Sequence, residues 1–213
     1  WNIFHNQGLK SNVINWLPSY PAEPINGVYV ANSVLRAAEN KDTPLALMKD
    51  SIFTDEYYKS LPLFKVLPDE LTEQHLQPFI PEFEKLGDLS ENMYVGGVLK
   101  EIANSATLQA MTTYLLENTE WDFTAVYFDS MDHLGHGFMK YHPPKLDGVP
   151  QEEYDLFKHV INGIYMFYDM MLERLLELVG EDTTVIIVSD HGFKSDHTRM
   201  LQIPEMPSSP ALD

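Results

Sequence analysis

Two short apolar segments, with one long amphipathic segment between them, constrain the fold of this chain most strongly. Residues 123–128 (FTAVYF) and 184–188 (TVIIV) are short, apolar and rich in β-branched side chains, which is typical of buried strands. Residues 152–179 carry apolar side chains at spacings of three and four, which predicts a helix that ends at Gly180. A strand, a helix and a second strand in this order predict a βαβ unit with parallel strands. The sequence therefore predicts an α/β fold with a parallel-type central sheet flanked by helices.

A cluster of carboxylate and imidazole side chains follows each of these predicted strands. Asp132 and His136 come soon after the first strand, and Asp190 and His191 come directly after the second. Because the carboxyl ends of parallel strands meet at the same edge of a sheet, we expect the two clusters to converge there. Four ionisable side chains buried together need hydrogen-bond partners or a cation. The sequence therefore predicts a ligand-binding site at this edge.

The residue types favour a site for divalent metal ions. Carboxylate oxygens and imidazole nitrogens in this mixture suit Zn²⁺, Mn²⁺ or Fe²⁺ better than Ca²⁺. Gly135 and Gly192 stand next to the two histidines, and we expect them to let the backbone turn or approach a metal closely. His197 can supply a further nitrogen ligand or can be an ordinary loop histidine. Taken singly, the first pair also fits a surface turn, and the second fits an N-cap aspartate beside a structural histidine.

Several neighbours of the two clusters are candidates for supporting roles. His133 is a weaker ligand candidate because it should face away from His136 on most turns. Asp129 can orient a metal ligand by accepting a hydrogen bond from it. Lys194 and Arg199 can hold a substrate oxyanion, although cations on exposed loops are common.

The remaining sequence predicts further elements of the same fold. Residues 10–16 and 27–30 are predicted as strands, and residues 96–117 carry an apolar stripe that predicts a helix. Residues 35–95 are acidic and rich in proline, and we expect them to form a mostly helical or irregular cap. This cap would be an insertion that covers the edge of the sheet.

Charge and composition exclude several classes of function. The 213 residues include 14 basic and 32 acidic side chains, a formal net charge of −18, which leaves too few cations to follow a nucleic-acid backbone. A small phosphorylated substrate is still compatible if bound metal supplies local positive charge. Without cysteine, the chain has no disulfide, thiolate zinc site or cysteine nucleophile. No apolar run approaches the ~20 residues of a membrane span. Neither the compartment nor the oligomeric state follows from the sequence.

The two clusters resemble the metal motifs of a known enzyme family. Asp132-x-x-Gly135-His136 and Ser189-Asp190-His191-Gly192 resemble those of the alkaline phosphatase superfamily, in particular its type I phosphodiesterase/nucleotide pyrophosphatase branch. The resemblance implies two divalent metal ions, Zn²⁺ or alternatively Mn²⁺, at the carboxyl edge of the sheet. One ion would bind to Asp132 and His136, and the other to Asp190 and His191.

The resemblance also implies an activity and a place for this chain within it. The expected reaction is metal-dependent hydrolysis of a small phosphorylated substrate by two-metal phosphoryl transfer. The segment around Trp1 resembles the one just downstream of the family's nucleophile, so we expect the attacking Thr or Ser upstream of Trp1. A further histidine ligand is expected beyond Asp213 unless His197 replaces it. Residues 1–213 would then be a partial alkaline phosphatase-like catalytic domain that is inactive alone.

Five alternatives remain open from the sequence. The same superfamily includes phosphomonoesterases, sulfatases and metal-dependent phosphomutases, which the type of nucleophile would distinguish. The chain can also be a non-catalytic binding domain with vestigial metal motifs, which would retain no stoichiometric metal. As a purely structural acidic domain, it would tolerate loss of His136 or His191 as it tolerates surface substitutions.

Overall fold

The computed structural model describes residues 1–36, 47–86 and 92–194, in which short strands alternate with helices. The strands are β1 Ser11–Ile14, β2 Gly27–Val30, β3 Ile52–Phe53 and β4 Phe123–Val126. The α-helices are α1 Asn2–Asn6, α2 Glu73–Leu76, α3 Met93–Asn118, α4 Ser130–Phe138, α5 Gln151–Phe157 and α6 Val160–Val179. Short 3₁₀-helices occur at Asn32–Arg36, Leu61–Phe64, Pro68–Glu70, Phe83–Leu86 and Met139–Tyr141.

The strands form a mixed, mostly parallel sheet in the order β3-β2-β1-β4. Strand β1 lies between β2 and β4 and runs parallel to both, whereas β3 is antiparallel to β2. Gly27 pairs with Ser11, and a side chain on that glycine would overlap the Ser11 carbonyl oxygen. The predicted α/β class, with a largely parallel sheet flanked by helices, is confirmed.

Alternating side chains of the central strands supply two cores, one on each face of the sheet. Because successive strand residues point to opposite faces, Ile14 and Val13 enter different cores. The Ile14 side packs against α3 through Leu108, Met111 and Leu115. On the other face, Val13 and Tyr29 pack with the indole rings of Trp1 and Trp16. Both faces of the sheet are therefore covered.

Helix α3 is the longest described element, and it connects the sheet to the helices that carry the site. Its N-cap residue is Asn92, whose Oδ1 accepts hydrogen bonds from the backbone nitrogens of Tyr94 and Val95 at 3.0 and 3.3 Å. Further along it, Val98 and Ile102 enter a third core with residues of α4, α5 and α6. The helix predicted at 96–117 is confirmed.

The helix predicted at 152–179 is instead two helices, α5 and α6, which break at Lys158 and His159. Phe157, the last residue of α5, packs against the rings of Phe138 and Tyr141. This packing sets the direction of α5 and overrides the continuous periodicity of the sequence. The predicted end of the helix is confirmed, since Gly180 follows Val179 with φ 71°.

The strand predicted at 184–188 is wrong within the described structure. The segment has no strand assignment, and the side chains of Val185–Val188 are 44 to 77% exposed. A strand requires backbone hydrogen bonds to a neighbouring strand, and no strand of the described residues pairs with it. An apolar, β-branched composition alone therefore does not produce the second strand of the βαβ unit.

The described part of residues 35–95 joins the main body of the fold. It contributes β3 to the sheet, and Leu76, Phe79 and Ile80 are buried in the core shared with α6. The function of this segment as a cap stays a prediction. Across residues 1–36, 47–86 and 92–194, no helix has the length and apolar character needed to cross a lipid bilayer.

Candidate functional site

Helix α4 begins four residues after β4 and carries the first pair of predicted ligands. Residues four apart share one face of a helix, so Asp132 and His136 point in the same direction. The Nε2 atom of His136 lies 3.5 Å from Oδ1 of Asp132. Gly135 is a helical residue here, so of its two expected roles the turn is wrong, and close approach of its backbone to a metal stays a prediction.

The second predicted cluster reaches the same carboxylate from a distant part of the sequence. The Nε2 atom of His191 also lies 3.5 Å from Oδ1 of Asp132. This oxygen is buried and accepts no hydrogen bond, although two imidazole rings approach it. The structure thus brings Asp132, His136 and His191 together without the strand pairing that was expected to align them.

Asp190 joins this group through its neighbour in the chain. Its Oδ1 accepts a hydrogen bond from the backbone nitrogen of His191 at 3.0 Å, and its Oδ2 lies 3.9 Å from Nε2 of His191. The Ser189 hydroxyl donates to the carbonyl oxygen of His191 at 2.6 Å. These contacts orient the loop that presents both residues.

The four predicted ligands are not buried, contrary to expectation. The exposed fraction of the side chain is 37% for Asp132, 53% for His191, 70% for His136 and 79% for Asp190. They lie on the outer face of α4 and on a loop, where water solvates their charges and reduces the cost of placing them together. The site is therefore open to a ligand from solution.

The ring of Phe193 packs between the two site histidines, a feature that the sequence analysis missed. Its centroid lies 5.1 Å from that of His136 and 5.5 Å from that of His191, with edge-on geometry in both pairs. The same ring lies over Gly135, where a Cβ atom would come within 2.6 Å of it. By contrast, a Cβ atom on Gly192 would meet nothing within 4 Å, and its φ is not in the left-handed region. The expected role of Gly192 in the turn is therefore not supported.

A second cluster lies on another face of α4. His133 points away from the first cluster and toward α3, where its Nδ1 lies 3.2 Å from Oε1 of Glu101. Asp129 completes a group whose potential ligand atoms all lie within 4.8 Å of one another. Burial raises the pKa of Asp129, and the carboxylates of Glu101 and Asp132 add to this rise while His133 opposes it.

The electrostatics of Tyr127 connect both clusters to the end of β4. Burial is the main cause of the raised pKa of its hydroxyl. The negative charges of Asp190, Asp129 and Asp132 raise this pKa further. Carboxylates from both clusters thus act on one side chain at the carboxyl end of β4, an edge strand of the described sheet, and this is the edge at which α/β sheets hold their ligands.

The remaining predicted site residues lie at or beyond the end of the described chain. Lys194 directly follows Phe193, and its contact with a substrate oxyanion stays a prediction. His197 and Arg199 lie outside the described residues.

Comparison with known proteins identifies the family of the chain. The family model for type I phosphodiesterase / nucleotide pyrophosphatase matches residues 1–203, which include both predicted metal motifs. No curated protein and no solved structure matches the chain. Because the match covers nearly the whole sequence, the chain belongs to the type I phosphodiesterase / nucleotide pyrophosphatase family.

Proposed function

We propose that this chain is part of a metal-dependent hydrolase of small phosphate diesters, with Asp132, His136, Asp190 and His191 as ligands of two divalent cations. The observation that carries the proposal is the approach of two imidazole Nε2 atoms to the same Asp132 oxygen, each at 3.5 Å. Family membership supports a phosphodiesterase-type hydrolase that acts on small phosphorylated substrates. It favours diesters over the monoesters and sulfate esters of related enzymes.

The donor set fits Zn²⁺ or Mn²⁺. Oδ1 of Asp132 is buried and accepts no hydrogen bond, so its lone pairs are available to a cation. His136 and His191 offer neutral nitrogen ligands, and Asp190 adds a second carboxylate. When bound, such ions polarise phosphoryl oxygens and lower the pKa of a coordinated hydroxyl group.

The protein's own side chains provide orientation and charge. Phe193 holds the rings of His136 and His191 at fixed angles by packing between them. The carboxylates attract divalent cations, and the cations in turn offset the negative charge that would otherwise repel a phosphate. A protein with a formal net charge of −18 can therefore bind an anionic ester at this one place.

Metal binding and anion binding test the proposal separately from turnover. The full chain is stripped with a chelator and titrated with Zn²⁺ by calorimetry, together with His136→Ala, His191→Ala and the control His5→Ala. His5 is an exposed histidine on α1, so its loss should leave affinity unchanged. Each site variant should weaken at least one binding event by about tenfold or more, since even the loss of an outer-shell partner weakens metal binding by 10–100-fold.

The second measurement concerns the substrate class. Bis(4-nitrophenyl) phosphate should bind to the zinc-loaded chain and not to the stripped chain. Equal Zn²⁺ affinity in all three variants would contradict the proposed function. Equal binding of bis(4-nitrophenyl) phosphate to the zinc-loaded and the stripped chain would contradict it as well.

A further inference from the structure

Helix α4 and its N-cap residue, Asp129, together carry the Asp-x-x-x-His spacing twice. Asp129 and His133 repeat the spacing of Asp132 and His136, three residues earlier in the chain. Since each residue turns a helix by ~100°, an offset of three residues rotates the direction of a pair by about 60°. The two pairs therefore serve different faces of the same helix, and the earlier pair faces α3.

The third member of this group comes from α3. Glu101 is only 7% exposed, and its Oε1 lies 3.2 Å from Nδ1 of His133. Its other oxygen, Oε2, is buried and has no hydrogen-bond partner, and the same is true of Oδ1 of Asp129. One oxygen from each carboxylate and one nitrogen of His133 lie within 4.8 Å of one another.

This cluster has more negative charge than its neighbours balance. The charged groups that act on Asp129 are His133, Glu101 and Asp132, and among these only His133 can be positive. The neighbouring group from α6 is the Tyr168 hydroxyl, which carries no charge and lies 3.2 Å from the Ser105 hydroxyl. Two carboxylates with buried, unpartnered oxygens are unfavourable unless a proton or a cation neutralises them.

We propose that Glu101, Asp129 and His133 bind a divalent cation that is distinct from the ions at the candidate active site. Two carboxylate oxygens and one imidazole nitrogen suit Mn²⁺ or Zn²⁺. The ion connects α3 to the first turn of α4, the helix that carries Asp132 and His136. It thereby stabilises the position from which these two residues reach His191.

The experiment counts Mn²⁺ ions on the full chain. Chelator-stripped protein is titrated with Mn²⁺ alone, and bound ion is measured as the loss of the electron paramagnetic resonance signal of aqueous Mn²⁺. The variants are Glu101→Gln, which preserves shape, and His133→Asn, which changes a half-exposed side chain and should fold if Glu101→Gln does not. His191→Ala reports on the candidate active site, and Glu173→Gln on the exposed side of α6 is the control for loss of one carboxylate.

We expect Glu101→Gln and His133→Asn each to lose one equivalent of Mn²⁺ that Glu173→Gln retains. The loss in Glu101→Gln should add to any loss in His191→Ala when the two changes are combined. If His191→Ala loses nothing while Glu101→Gln loses one ion, the proposed function fails and the present inference stands. Full Mn²⁺ binding by both Glu101→Gln and His133→Asn, or no further loss in the double variant, overturns the inference.

Discussion

Gly135 lies so close to the ring of Phe193 that a methyl group on this glycine would come within 2.6 Å of Phe193 Cε2. The glycine belongs to the helix that carries Asp132 and His136, and the phenylalanine follows the loop that carries His191. The absence of a side chain at one position therefore allows two distant segments to meet. Any group larger than hydrogen must push them apart.

Gly135→Ala should weaken metal binding and destabilise the fold, although alanine has a higher helix propensity than glycine. Overpacking of this kind costs about 1–3 kcal/mol, because Phe193 must move and His191 must move away from Asp132 with it. The measurements are chemical denaturation and a Zn²⁺ titration of the same protein.

Gly137→Ala is the matched control on the same helix. A Cβ atom there meets nothing within 4 Å, so alanine should stabilise the helix by up to about 1 kcal/mol and leave Zn²⁺ affinity unchanged. Equal Zn²⁺ affinities for the two variants would show that the contact with Phe193 does not position His191.

Gly27→Ala should destabilise the fold far more than Gly148→Ala. Both glycines have positive φ, 136° and 83°, so alanine strains the backbone at each position by about 1–3 kcal/mol. Only at Gly27 does the new methyl group also overlap a neighbouring strand, at the Ser11 carbonyl oxygen. Urea denaturation of the two variants measures the difference, and similar losses would mean that β1 and β2 are not packed as described.

Lys65 should make stability rise between about pH 8 and pH 10.5. Burial lowers the pKa of its ammonium group from 10.5 to about 8, with a further contribution from the charge of Lys100. In this window the unfolded chain binds more protons than the folded chain, so the free energy of unfolding increases with pH. The ammonium group also donates to the carbonyl oxygen of Leu35 at 2.6 Å.

The test compares the wild type with Lys65→Met by urea denaturation at pH 7, 8.5 and 10. Relative to the variant, the wild type should gain stability as the pH rises, since other titrating groups cancel in the difference. Lys59→Met, a change at an exposed lysine, is the control and should give a constant difference. A constant difference for Lys65→Met as well would refute the burial of its charge.

Ile186→Lys should reduce aggregation without loss of stability. The side chain of Ile186 belongs to the apolar, β-branched run at Val185–Val188 that lies exposed, and such segments promote association between chains. During a temperature ramp, light scattering should begin to rise at a higher temperature for the variant than for the wild type. The free energy of unfolding from urea denaturation should stay within about 0.5 kcal/mol of the wild-type value.

The contrasting variant is Ile164→Lys on α6, where the side chain is fully buried. This change should unfold the protein, because a lysine charge has no partner in that core. A comparable loss of stability in Ile186→Lys would indicate that residue 186 is packed in solution.

Elements with strong local signals could be predicted from the sequence. Helix α3 and strand β4 agree with the predictions because their apolar spacing matches the period of the structure they form. The residues 184–188 have an equally strong local pattern, but a strand also depends on a neighbour that the pattern does not contain. The break between α5 and α6 likewise depends on ring packing around Phe157, which comes from other segments.

The candidate site was predictable in part for the same reason. The meeting of Asp132 and His191 agrees with the prediction, although the strand pairing that was expected to cause it is absent from the described residues. The part played by Phe193 depends on a contact with Gly135 across two segments. Glu101 lies within the segment that was predicted as helix α3, and no residue near it in the sequence indicates that its side chain meets a polar partner. The repeated spacing of Asp129 and His133 was the signal that could have led to this second cluster.

The two-residue strand β3 has a consequence for how the sheet can grow. It runs opposite to the other strands and pairs with Tyr29 and Val30 alone, so it offers little backbone for a further strand to join. Recruitment of another polypeptide by hydrogen bonding along this side is thereby discouraged. Within the described chain, the opposite edge is formed by β4, and no short antiparallel strand pairs with its outer side. A further strand can therefore pair with the sheet more readily along β4, which is the edge next to the candidate site.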